Sequence, residues 1–147
     1  YRQVLADMAP LYEKNDNYAL MLVDYYIHTG EPGKAHRAID RVAASIGGDA
    51  GLDSLHAGLA SQAGDYRRAI AYARDGISRE ADYEDNYWVL LDALVFSENY
   101  DDAVLVLNIL EQGFHYQFDS RQMATLEGYE AFARSSAFAN WRSAAAY

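Results

Sequence analysis

Residues 64–69 read Gly64-Asp65-Tyr66-Arg67-Arg68-Ala69, and the same punctuation, a tight-turn triplet followed by an alanine, recurs on either side. The triplets Gly30-Glu31-Pro32, Gly64-Asp65-Tyr66 and Glu98-Asn99-Tyr100 begin 34 residues apart, with Ala35, Ala69 and Ala103 following at one offset. A fixed period of this length marks a repeat architecture, whose units cannot bury their apolar faces alone and stack on their neighbours.

Each unit reads as two helices. Ala19, Leu22, Val23 and Tyr26 fall at i, i+3, i+4 and i+7, the spacing that puts apolar side chains on one helical face. A turn follows at residues 30–33, where glycine permits a left-handed backbone and proline starts a new helix. Ala35, Ala38, Ile39, Val42 and Ala43 then line one face of the second helix. The third unit repeats this with Tyr87, Leu90, Leu91 and Leu94, a turn at residues 98–101, and Ala103, Val106, Leu107 and Leu110. The middle unit differs: Asp53 and Ala60 stand where its neighbours have Ala19/Tyr87 and Tyr26/Leu94, and Leu52, Leu55 and Leu59 sit one residue early. Its first helix is therefore expected to be rotated by about a residue.

The aromatic Tyr26, the Gly64-Asp65-Tyr66 turn and the alanines at helix approaches together resemble the tetratricopeptide repeat family over roughly residues 16–117. The proline that closes the family's units is replaced by Gly47, Ala81 and His115. The resemblance implies an all-α fold, a right-handed superhelical solenoid of antiparallel helix pairs with about three full repeats and flanking helices. The expected units are 16–49, 50–83 and 84–117 in a single domain over 1–147. Residues 1–15, with Tyr1, Leu5 and Met8 on one face, would be the second helix of a truncated repeat, so the chain is expected to be part of a larger protein. Residues 118–147 would be degenerate capping helices near Asp119 to Arg134 and Ser136 to Ala145, carrying Met123, Ala124, Leu126, Phe138 and Trp141.

Composition narrows the function. The 147 residues suit one domain, and 51% apolar with 23% charged residues is a globular balance. No apolar run is long enough to span a membrane, and no signal-peptide pattern opens the chain, so direct membrane insertion is not expected and localisation stays open. A net charge of −10 disfavours nucleic acid, which is held by clustered Lys and Arg. With no cysteine there is no thiolate nucleophile, disulfide framework or Cys-based zinc site.

The motifs that carry chemistry fail on inspection. Gly30-Glu31-Pro32-Gly33-Lys34 resembles a phosphate loop, but His28 stands where a glycine is required and Ala35 where Ser or Thr binds magnesium. His28, His36, His56 and His115 are never paired at i, i+4 and read as surface or packing histidines. Glu80, Asp82, Glu84 and Asp85 have Tyr87 where a calcium loop needs its turn glycine. No nucleophile elbow is present. No catalytic residue and no cofactor are assigned, and the chain is not expected to be an enzyme.

By resemblance, binding would fall on the groove face of the first helices: Asn17, Leu20, Asp24, Ile27 and His28, then Asp85, Trp88, Asp92, Val95 and Phe96, then Gln122, Leu126 and Tyr129. The candidate site is Asp24, His28, Asp85, Trp88, Asp92, Val95, Phe96, Gln122 and Tyr129, an acidic and aromatic strip suited to a basic or apolar protein, peptide or helix. In the family's chaperone-tail binders, Lys, Asn and Arg grip a carboxylate. Here Leu20, Asp24, Asp85 and Val89 stand at those positions, and the aspartates would repel it. The expected function is a protein-interaction scaffold. The alternative is a structural spacer or self-association module, with Trp88 and Phe96 covered inside the chain or in a homo-oligomer.

Overall fold

The computed structural model describes Gln3, Asp7 and residues 16–145, and every element among them is helical. A 3-10 stretch Asp16–Leu22 runs into α1 (Val23–His28), followed by α2 (Pro32–Ile46), α3 (Ala50–Gln62), α4 (Tyr66–Arg79), α5 (Asp85–Phe96) and α6 (Tyr100–Phe114). Three shorter helices end the chain: α7 (Ser120–Thr125), α8 (Glu130–Ala133) and α9 (Ser136–Ala145). Apart from Gln3 and Asp7, which are helical, the segment read as a truncated repeat lies outside the described residues.

Short links join α1 to α2, α3 to α4 and α5 to α6, and the helices of each pair pack on each other. The second helices begin at Pro32, Tyr66 and Tyr100, matching the spacing of the sequence triplets. Ala35, Ala69 and Ala103, one turn inside them, have no exposed surface. Aspartate side chains accept from backbone N–H groups at the starts of α3 and α4: Asp49 from Leu52 at 2.8 Å and Asp65 from Arg68 at 3.3 Å. Each such cap contributes about 1 kcal/mol. Gly47 (φ 86°) and His115 (φ 64°) end α2 and α6 in the left-handed region, which proline cannot enter.

The middle unit is not rotated. His56, Ala57 and Ala60 are buried at the positions of Leu22, Val23 and Tyr26 before them and Leu90, Leu91 and Leu94 after them. The register survives because α3 serves two neighbours: Leu52 and Leu59 join the core of the first pair, while Ala57 joins the larger core built on α5 and α6. Leu55, on neither side, is exposed. Polar groups fill the remaining inward positions. Asp53 binds Arg79 at 2.8 Å, and the buried Asn86 donates to the Ala50 carbonyl at 2.9 Å.

Nor are the histidines all separate. His36 and His56, on α2 and α3, bring their Nδ1 atoms to 2.6 Å, and His56 Nε2 lies 2.9 Å from Asp40 Oδ1. Tyr72 of α4 lies nearly parallel to the His56 ring at 4.6 Å. Spacing along the sequence cannot show a pair that forms between helices.

The expected helix near Asp119 to Arg134 is broken. Leu126 is extended and Gly128 takes φ 81°, separating α7 from α8. The Phe96 ring lies over Gly128, where an added Cβ would come within 2.5 Å of it.

Gly76 supplies a test of this packing. A Cβ there would lie 2.4 Å from Asn86 Nδ2, whereas one at Gly58, in α3, would meet nothing within 4 Å. Gly58→Ala is expected to stabilise the chain by about 0.5–1 kcal/mol, as helix interiors ordinarily do. Gly76→Ala is expected to destabilise it by about 1–3 kcal/mol through overpacking. Urea denaturation of both variants checks the pair, and equal effects would contradict the Asn86 placement.

Candidate functional site

Helix α5 forms because Tyr87, Leu90, Leu91 and Leu94 give it a continuous buried face. Its other faces carry the predicted strip, of which Asp85, Asp92 and Phe96 are exposed and Trp88 is half-buried. Val95 is buried. The Trp88 Nε1–H donates to Glu84 Oε2 at 3.0 Å, and the Tyr116 hydroxyl donates to the same oxygen at 2.8 Å. Tyr116 and Phe118 set their rings edge-on to the indole, at 5.0 and 5.9 Å between centroids. One carboxylate thus organises three aromatic rings, and its hydrogen bond from Tyr116 pushes that phenol's pKa up.

One turn further along α5, the Tyr129 hydroxyl donates to Asp92 Oδ1. Tyr129 is buried, so its phenol is pushed upward first by burial and then by the Asp92 carboxylate. Burial also raises Asp92, partly offset by the Tyr129 hydrogen bond. Phe96 keeps 40% of its surface exposed and meets Tyr129 edge-on at 5.9 Å and Tyr66 at 6.0 Å.

The predicted residues therefore do not form one open surface. Trp88, Asp92, Val95, Phe96 and Tyr129 are joined in internal contacts, because the segment from Tyr116 to Tyr129 folds across α5. Asp24 and His28 lie on α1, both exposed, with His28 Nδ1 2.7 Å from the Asp24 carbonyl oxygen. Neither shares a described hydrogen bond or ring contact with the α5 strip. Asp85 is exposed and accepts from the Tyr83 hydroxyl at 3.4 Å. Leu126 is exposed too, on the extended segment rather than on a helix.

Gln122, also exposed, opens onto a cleft of about 580 Å³. Glu111, Gln112, Tyr116, Gln117, Phe118, Asp119 and Arg142 line the rest of it. Arg142 has no free charge to offer: it grips Glu111 at 2.6 and 3.1 Å and donates to the Phe118 carbonyl at 2.7 Å. The guanidinium holds the Glu111 carboxyl below its ordinary value. Asp119 accepts from the Gln122 backbone N–H at 2.9 Å, starting α7. The lining is thus rich in amides and aromatic edges, with no uncommitted cation. Of these residues the sequence reading held only Gln122. Tyr116 and Phe118, an aromatic pair just past α6, were its overlooked signal.

Among the described residues no group of three or more His, Cys, Asp or Glu side chains could hold a metal ion, and no helix is long and apolar enough to cross a membrane. Comparison with known proteins found no matching family model, and neither a curated protein nor a solved structure that matches the chain. Geometry and chemistry alone carry the functional reading.

The Tyr129–Asp92 contact separates an internal strut from a groove residue. Tyr129→Phe should cost about 1–3 kcal/mol in urea denaturation, because it removes the buried phenol's hydrogen bond to a charged carboxylate. A loss under about 0.5 kcal/mol would return Tyr129 to the class of surface groove residues.

Proposed function

We propose that the chain is a protein-interaction module built of tetratricopeptide-like helix pairs, and that it takes an extended, neutral or basic peptide segment in the cleft beside α6, α7 and α9. The cleft carries this reading. Its volume of about 580 Å³ lies in the range of sites that enclose ligands. Glutamine amides can both donate to and accept from a peptide backbone, and the exposed edge of Tyr116 offers an apolar anchor. With Arg142 and Glu111 cancelling each other, the charge left in the cleft is that of Asp119, which would repel an acidic segment. Trp88 acts behind Tyr116 as a support rather than as the anchor itself.

A second reading has its own observation. Leu105 and Ile109 stand one turn apart on α6, 62% and 43% exposed. A second copy covering them would make the chain a self-association module.

The test is a library of random displayed peptides panned against the chain, with enriched peptides mapped by amide and indole NMR shifts. Changes should centre on Tyr116, Gln117, Gln122 and the Trp88 indole, and Gln122→Ala should weaken binding by about fivefold to tenfold, the loss of one or two hydrogen bonds. Failure to enrich any peptide, or shifts confined to another face, would defeat the cleft reading. A dimer in sedimentation that Leu105→Glu converts to a monomer would favour the second.

A further inference from the structure

The junction between the first two helix pairs is built unlike the one that follows it. Between the second pair and α5, contacts run from both α3 and α4. The first pair meets the second chiefly where α2 touches α3. The apolar core divides within α3, whose Leu52 and Leu59 join the cluster running from Ala19 to Ile39 while Ala57 joins the next one. The link itself is Gly47-Gly48, both at positive φ (86° and 79°), a conformation glycine holds without strain. Beside the apolar contacts of Leu52 and Leu59, α2, α3 and α4 are joined there by the His36–His56–Tyr72 group, with its three rings nearly parallel.

Proton positions in this group are constrained. Asp40 holds the His56 Nε2–H, so neutral His56 presents a bare Nδ1, and His36 must donate its own Nδ1–H across the 2.6 Å gap. One further proton can sit on His36 Nε2 and leave that bond intact. The next has only His56 Nδ1 to occupy, where two N–H groups and two positive charges would face each other. The pair therefore cannot remain closed when both rings are charged.

We propose that the His36–His56 pair is a proton-operated joint, closed at neutral pH and opened by acid, which frees the α1–α2 hairpin from the helices that follow. The surrounding charges bear on it from every side. Asp40 on α2 and Asp53 on α3 favour positive charge, but Arg79 already engages Asp53, with Asp75 beside that pair. Arg68 on α4 opposes it, and Tyr72 covers the rings without contributing charge. The balance for His36 falls on the neutral side: burial first, then His56 and Arg68, hold its pKa below the ordinary 6.5, against the pull of Asp40. A histidine lowered in the fold lends its full stabilisation above the free-imidazole value and loses it as pH falls through the folded value. Opening therefore belongs on the acidic side of 6.5.

The test is amide hydrogen exchange on the whole chain, corrected for intrinsic rates, at about pH 7.5 and about pH 5, which brackets histidine titration. Protection of α2 should fall roughly tenfold more than that of α5, as expected for local opening of one hairpin. His36→Gln, which keeps a hydrogen-bonding group but takes no proton, should abolish the difference. Equal loss in both helices, no loss in α2, or an undiminished pH effect in His36→Gln would overturn the proposal. Should that variant fail to fold, nitrogen-15 NMR of the wild-type rings decides: His36 protonated at Nδ1 and His56 bare there supports the joint, and two Nε2–H tautomers refute it.

Discussion

Close approach of paired helices is the constraint on which the other contacts depend, and three methyl groups permit it. Ala35, Ala69 and Ala103 are wholly buried one turn inside α2, α4 and α6. A larger side chain at any of them would push the second helix away from the first and open space along the hairpin. With the pair closed, larger side chains meet further along: Leu22 and Tyr26 with Ile39 in the first, Leu90 and Leu94 with Val106 and Leu107 in the third. Turn chemistry and burial thus specify the same register.

The middle pair shows how strongly that register is imposed. Its local pattern favours a face through Leu52, Leu55 and Leu59, yet His56 occupies the inward position of Leu22 and Leu90. Turning α3 to bury Leu55 would bring Ala57 and Ala60 away from the neighbouring cores they join. Keeping register costs the desolvation of His56, Asp53 and Asn86, offset by Asp40, by Arg79 and, for the Asn86 amide nitrogen alone, by the Ala50 carbonyl, while Asn86 Oδ1 is buried without a partner. Gly76 completes the arrangement by leaving room for the Asn86 amide. A polar seam therefore lies between two apolar clusters.

Much of this was legible in the residues. Period, turns and buried alanines are local signals, repeated at a fixed distance, and each is readable without knowing what touches what. The orientation of α3 was misread because a single helix was judged by one amphipathic face, while α3 has two neighbours to satisfy. The break after α7 had a visible cause in Gly128, but it is decided by Phe96, thirty-two residues earlier, whose ring occupies the space above that glycine. The histidine pair and the Glu84–Trp88–Tyr116 cluster join residues 20 and 32 apart, separations at which helical spacing carries no information.

The candidate strip is only partly open, for a reason that also locates the cleft. A second apolar face on α5 was taken as surplus to the core and hence open to a partner. A full unit after α6 would cover that flank with a packed helix pair, and here only short helices α7 and α8 follow. The chain covers α5 with irregular segments instead, laying Tyr116 and Phe118 against Trp88 and Tyr129 against Asp92. Irregular backbone covers less evenly than a packed helix. Arg142 props α9 against Glu111 and the Phe118 carbonyl, and the gap beside this brace is the cleft edged by Tyr116 and Gln122. The segment after α6 packs against Trp88, Asp92 and Phe96 and, through the same packing, leaves an amide-rich opening at its edge.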